Sequence, residues 1–108
     1  MEFQVKLTGN AKREIEAIYI WLKQDNPDYA DQCFRDLMDT IATLQDKPKR
    51  CAFARENDDF PEEIRQLLYG KGRNKYRVIF TVEKDIVYIL YVRHSAQSSI
   101  IFNPLDFE

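Results

Sequence analysis

The alternation of apolar and polar positions divides this 108-residue chain into a short strand, two helices and three further strands. Phe3, Val5 and Leu7 alternate with Gln4 and Lys6, a period of two that predicts a first strand over Phe3–Leu7. Thr8 then offers a hydroxyl to the unpaired amides of a helix that runs to about Gln24. Ala11, Ile15, Ile18 and Leu22 recur at helical spacing and give that helix one apolar face, flanked by Tyr19 and Trp21. Asp25-Asn26-Pro27 breaks it, with Asn26 as the next cap and Pro27 at a first helical position, where a missing N–H costs nothing. The second helix, from Pro27 to about Gln45, carries the clearest amphipathic stripe: Ala30, Cys33, Phe34, Leu37, Ile41 and Leu44. So short a link makes the two helices an antiparallel hairpin.

Lys47–Pro61 reads as an irregular connection bounded by Pro48 and Pro61. Three strands follow: Ile64–Tyr69, Tyr76–Val82 and Ile86–Arg93, separated by turns at Gly70-Lys71-Gly72 and Glu83-Lys84-Asp85. In the second of these, Tyr76, Val78, Phe80 and Val82 share one face and Arg77, Ile79 and Thr81 the other. In the third, Val87, Ile89 and Tyr91 alternate with Tyr88, Leu90 and Val92, so both faces are apolar and the strand is expected at the centre of the sheet. Ile100, Ile101, Phe102 and Leu105 make the tail too apolar to float freely; it either joins or packs on the sheet, or is left exposed for a partner. The expected fold is α+β: an N-terminal strand, a helical hairpin, then a three- to four-stranded antiparallel sheet packed on the hairpin as a two-layer sandwich.

Composition changes this picture in one respect. Net charge is −2, yet the charges are segregated. Residues 1–46 hold five basic and nine acidic side chains, residues 47–55 four basic and none acidic, residues 56–63 five acidic and none basic, and residues 64–93 seven basic and two acidic. Arg65, Lys71, Arg73, Lys75 and Arg77 therefore lie on the predicted sheet with no acid between them, as a face suited to a phosphate backbone or an acidic peptide. The alternative is an ordinary solvated surface. Cys33 and Cys51 are far apart and lack metal-ligand spacing, so neither a zinc site nor a disulfide follows, and Cys33 on its apolar stripe reads as a buried free thiol. Residues 1–108 are expected to form one domain with 99–108 as an apolar tail. The first residues lack an apolar signal core and no run approaches transmembrane length, so a cytoplasmic protein is expected.

The order of strand, helical hairpin, arginine strand, Tyr76-Arg77-Val78-Ile79-Phe80 and a last strand ending in Val92-Arg93-His94 resembles the RelE/ParE superfamily of bacterial toxins from type II toxin–antitoxin modules. The resemblance spans nearly the whole chain in element order and about thirty residues in motif. It implies growth arrest, a role in plasmid stabilisation, no cofactor or metal, and a cognate antitoxin whose disordered or helical tail wraps the toxin. An acidic amphipathic segment would complement the cationic sheet. Assembly is expected either as a homodimer or as a toxin–antitoxin hetero-oligomer.

The superfamily contains two activities. RelE-like members are metal-independent mRNA endonucleases acting in the ribosomal A site, where lysines and arginines hold phosphate and a Tyr, His or Arg assists proton transfer. Carried over to this chain, that set is His94, Arg77 and Arg73, with Arg65 as a further phosphate ligand; His94 is the only histidine, a residue type suited to acid–base work. Against it, Ser95-Ala96-Gln97-Ser98-Ser99 follows His94 where RelE-like members carry more Arg and a Tyr, and the next aromatic, Phe102, has no hydroxyl. ParE-like members share the fold and poison DNA gyrase. The Val92-Arg93-His94-Ser95-Ala96-Gln97 ending and the long hairpin resemble them more closely. On that reading Arg65, Lys71, Arg73, Lys75, Arg77 and Arg93 bind rather than catalyse, and His94 caps a strand end. A third reading is an inactive toxin fold that only binds its antitoxin. Glu62-Glu63 reads as part of an acidic loop, Gly70-Lys71-Gly72 is too short to cradle a phosphate, and Tyr19, Trp21 and Tyr29 read as packing or subunit contact.

Overall fold

The first strand, β1 (Gln4–Leu7), joins the sheet beside its last strand, and the rest of the chain is wound around that contact. The computed structural model describes residues 2–71, 74–97 and 99–108, apart from the side chains of Lys71 and Asn74. Helices α1 (Gly9–Asp25) and α2 (Pro27–Ala42) follow β1 as the expected hairpin, and α2 ends in a 3₁₀ turn over Thr43–Gln45. Strands β2 (Ile64–Lys71), β3 (Asn74–Glu83) and β4 (Ile86–His94) form an antiparallel meander, giving the order β1-β4-β3-β2. β2 and β3 both run further than the alternation predicts, and the turn expected at Gly70-Lys71-Gly72 lies partly outside the described residues.

The fold is the expected α+β arrangement, with a mixed sheet: β1 runs parallel to β4, from Gln4 opposite Ile86 to Leu7 opposite Ile89. Running this way, β1 delivers Thr8 beside Ile89, where α1 can start across the sheet. The Thr8 hydroxyl donates to Ile89 O at 2.7 Å and accepts from the Ala11 amide at 3.2 Å, so one side chain caps the helix and pins it to β4. Among the described residues the edge of β4 has no strand partner beyond Ile89, and side chains of α1 bond its backbone instead. Asn10 Nδ2 donates to Leu90 O at 3.0 Å, and Glu14 Oε1 accepts from Val92 N at 3.1 Å. Asn26 caps α2 as expected, accepting from Tyr29 N at 3.1 Å.

One irregularity re-aims β4. Ile79 pairs with Tyr91 but Phe80 pairs with Ile89, so Leu90 is an extra residue on β4. The bulge reverses the alternation. Val87, Ile89 and Val92 face the helices, whereas Leu90 and Tyr91 face the other side. The strict alternation read from the sequence, with Tyr91 beside Ile89 and Val92 opposite, is corrected at this point.

The inner core joins Ala11, Ile15, Leu37, Ile41 and Leu44 to Val78, Phe80, Val87, Ile89 and Val92. The outer face is also covered. Segment 47–63 crosses it, and the tail folds back over it, so that Ala54, Phe60 and Ile100 pack on Ile64, Ile79, Leu90 and Tyr91. Phe60 stacks edge-on with Tyr91 at 6.3 Å and Phe102 at 5.3 Å, and tilts against Phe107 at 6.2 Å. The tail is tied down by Tyr91 Oη donating to Asp106 at 2.7 Å and by Gly9 N donating to Glu108 O at 2.9 Å. Of the alternatives for the tail, packing on the sheet is the one observed, although Ile101 and Leu105 still face solvent. A third, irregular layer thus lies where two layers are predicted.

Phe60 is the centre of this outer cluster and nearly inaccessible. Phe60→Ala is expected to destabilise the protein by about 3 kcal/mol in urea unfolding, as for other large buried aromatics; a loss under about 1 kcal/mol, the size of a surface substitution, would show that the layer is only loosely applied.

Candidate functional site

Strand alternation sends Arg77, with Ile79, to the outer face of the sheet, whereas Arg65 stands opposite Phe80 and so belongs to the helix-side face at the β2 edge. The irregular segment before β2 engages both. Arg77 is 4% exposed and Glu56 is 2% exposed. The Arg77 guanidinium donates to both Glu56 carboxylate oxygens, at 2.9 and 2.6 Å, and through Nε and Nη2 to Gln66 Oε1, at 3.1 and 2.9 Å. Glu56 Oε2 also accepts from the Ile100 amide at 3.1 Å. Burial alone would discourage ionisation of Glu56, but the hydrogen bonds from Arg77 and Ile100 outweigh it and hold the carboxyl down at about 2. Arg77, expected to bind or catalyse, is thus buried, with its charge matched inside the fold by a carboxylate 21 residues earlier in the chain.

Arg65 is similarly engaged. Its Nη1 donates to Lys49 O and Cys51 O at 3.2 and 2.7 Å, its Nη2 meets Glu63 at 3.0 Å, and its guanidinium lies 4.4 Å over the Phe53 ring. It holds segment 47–53 against the edge of β2. The acidic run 56–63 is thus divided between a buried anchor at Glu56, a tether at Glu63 and exposed Asp58, Asp59 and Glu62.

Lys75, Arg93 and His94 lie at one end of the sheet. Lys75 is exposed, and Arg93 is 25% exposed with its Nε 3.9 Å from Glu14 and without a hydrogen-bond partner among the described residues. His94 stands opposite Tyr76 in the register and meets its ring edge-on at 5.4 Å. His94 Nδ1 accepts from the Ala96 amide at 3.1 Å, and the His94 amide donates to Gln97 Oε1 at 2.7 Å. This bonding fixes the tautomer with the proton on Nε2 and folds the 94–97 turn. Burial raises the phenols around it: Tyr76 is pushed up, and Tyr69 reaches about 12. Both stay protonated at neutral pH and supply no base. Arg73 and the Lys71 side chain lie outside the described residues.

A second feature lies on the helical side, where the sequence gives only a core stripe. Leu7, Ile15, Tyr19, Phe34 and Met38 line a groove of about 670 Å³ between α1 and α2, with Lys12, Glu16, Asp31 and Arg35 on its rims. Phe34 is 42% exposed and packs edge-on against Tyr19 at 5.8 Å, while the Tyr19 hydroxyl donates to Asp31 at 2.6 Å. The legible signal is the width of the α2 stripe, which carries Phe34 next to Cys33 and so exceeds what one sheet face can bury. Cys33 is correspondingly half-buried rather than buried. Trp21, expected in packing or subunit contact, is 69% exposed beyond the groove near the hairpin tip.

A helical hairpin on a four-stranded mixed sheet is the α+β fold expected from the resemblance to the RelE/ParE type. The model of the family described as "ParE toxin of type II toxin-antitoxin system, parDE" matches residues 5–99. The chain belongs to that family, and is the toxin component of a type II toxin–antitoxin module. A solved structure titled "Chromosomal ParDE TA system from P. aeruginosa" is similar in fold, with a TM-score of 0.70 and 21% identity over 86% of this chain and 96% of that chain. A search of curated proteins gives no match. Among the described residues no helix is long and apolar enough to cross a membrane.

Because the Glu56 carboxyl is lowered in the folded state, its ionisation stabilises the fold above its ordinary value of 4.5, and that contribution is lost as pH falls toward about 2. Unfolding free energy measured against pH should therefore drop across this window. In Glu56→Gln the contribution of this group should be absent at every pH and the slope shallower; an unchanged slope would show that Glu56 is not the coupled group.

Proposed function

We propose that the free toxin poisons DNA gyrase, and that a cognate antitoxin holds it inactive by laying an amphipathic helix into the groove between α1 and α2. The observation that carries the choice of target is the state of the residues a ribosomal nuclease would use. Arg77 is enclosed by Glu56 and Gln66, and the free acceptor nitrogen of His94 is occupied by the Ala96 amide. Arg77 cannot reach a phosphate without dismantling the outer layer, and His94 keeps its proton on the one nitrogen left for substrate. The nuclease chemistry needs a base for the 2′-hydroxyl and an acid for the leaving oxygen, and neither is assembled by these two residues.

The groove supports the antitoxin half of the reading. Its floor is apolar and its rims carry both signs of charge, which suits a helix presenting apolar anchors at i, i+3 and i+4 with polar flanks. The similar P. aeruginosa structure is titled as a ParDE system, so a paired antitoxin is the natural occupant and a toxin–antitoxin hetero-oligomer the resting assembly. On this reading Lys75 and Arg93, at the end of the sheet, are docking cations for the target. His94 shapes the turn that presents them.

Purified gyrase incubated with supercoiled plasmid and this protein should accumulate cleaved DNA, and His94→Gln should do so to within about twofold of the parent. Ribosome-dependent mRNA cleavage that His94→Gln abolishes, with no effect on gyrase, would overturn the choice of target. Phe34→Glu, which places a charge on the groove floor, should weaken antitoxin binding about a hundredfold or more, as for a central apolar anchor; unchanged affinity by calorimetry would remove the groove from the interface.

A further inference from the structure

The outer edge of β2 is only half covered. Ala54 N donates to Ile64 O and Gln66 N donates to Ala52 O, both at 3.0 Å, and Phe53 bridges Arg65 in antiparallel fashion. Residues 52–54 thus act as a stub of a fifth strand, held in place by the Arg65 guanidinium on Cys51 O and by its stacking on Phe53. These bonds also fix the direction of the backbone groups. Ile64 and Gln66 turn their polar groups away from β3, and β2 pairs with β3 without a register shift from Ile64 to Lys71. Alternation then sends the N–H and C=O of Leu68 to the same outer side. Among the described residues, no backbone hydrogen bond is made there. The Leu68 side chain is 54% exposed beside this bare stretch.

We propose that the bare half of β2 is completed by an extended, acidic segment of the antitoxin, which pairs with Leu68 and continues the sheet where residues 52–54 stop. This inference rests on the antitoxin reading above and assigns it a second contact, on the edge of the sheet opposite β1. The charge of the surroundings selects the chemistry. Lys75 is exposed and stands opposite Gly70 in the register, Lys71 and Arg73 are near it in sequence, and there is no acid between Ile64 and Thr81. An incoming strand with carboxylates on alternate positions would satisfy the open N–H and C=O and neutralise these cations. A second copy of the chain fits poorly, since joining two β2 edges would bring the same lysines and arginines together.

The amide of Leu68 gives a direct test, because it contributes nothing to the β2–β3 ladder. The antitoxin encoded beside this chain is the probe, with hydrogen exchange of the wild-type toxin and affinities of Leu68→Pro and Leu68→Thr as readouts. In the complex the Leu68 amide should exchange at least about tenfold more slowly than in the free toxin. Leu68→Pro, which removes the outward N–H, should weaken binding about tenfold. Leu68→Thr, which keeps it, should bind within about threefold of wild type. Equal losses in the two variants, or a Leu68 amide that exchanges as fast in the complex as alone, would overturn the strand contact and leave the groove contact standing. Protection of Leu68 that appears with rising toxin concentration and no antitoxin would assign the edge to a second copy instead. Failure of wild-type toxin to form any complex would overturn both the antitoxin reading and this one.

Discussion

The outer face of this sheet depends on one buried ion pair. Taking a carboxylate and a guanidinium out of water is costly, and the cost is offset only when geometry is good and the remaining hydrogen-bonding capacity is used. Glu56 and Arg77 meet both conditions: the contact is bidentate, Gln66 takes further donors of the guanidinium, and the Ile100 amide takes a carboxylate oxygen. Each of those partners belongs to a different part of the chain. The pair therefore joins the irregular segment before β2, the strands β2 and β3, and the tail after β4 at one point. Around it the aromatic cluster of Phe60, Tyr91, Phe102 and Phe107 closes against water. Removing one partner would leave the other charge buried and unmatched, and the whole layer would be affected.

That arrangement explains how far the sequence could be read. The hairpin and strands are legible because α2 and β3 repeat their apolar residues at the periods the backbone imposes, and the caps Thr8 and Asn26 stand where helix ends need acceptors. The central place of β4 follows from its two apolar faces. The bulge at Leu90 does not, because an extra residue in an apolar run leaves no mark on the pattern that would show its position. The parallel docking of β1 likewise depends on a contact more than 80 residues away in sequence, between Thr8 and Ile89.

The charges were the least legible part of the site. A count of cations in β2 and β3 is correct, but it cannot show that Arg77 is neutralised by Glu56 or that Arg65 is spent on carbonyls of segment 47–53. An arginine on the solvent-facing side of a strand becomes structural once a loop covers that side. The surfaces left open are the helical groove around Phe34, the bare half of the β2 edge at Leu68, and the end of the sheet where Lys75 and Arg93 remain accessible. The first two are the surfaces proposed above for the antitoxin.

The central claim is that Arg77 stabilises the toxin and does not act on its target. Replacing the pair by apolar residues of similar length, in the double variant E56L/R77M, separates those roles, since such swaps are often neutral or stabilising for a well-packed buried pair. The measurement is growth arrest on induction, read beside the unfolding free energy of the purified double variant. The account predicts a folded protein that arrests growth as the parent does. A double variant that folds with parental stability but no longer arrests growth would contradict it, and would return Arg77 to the working surface.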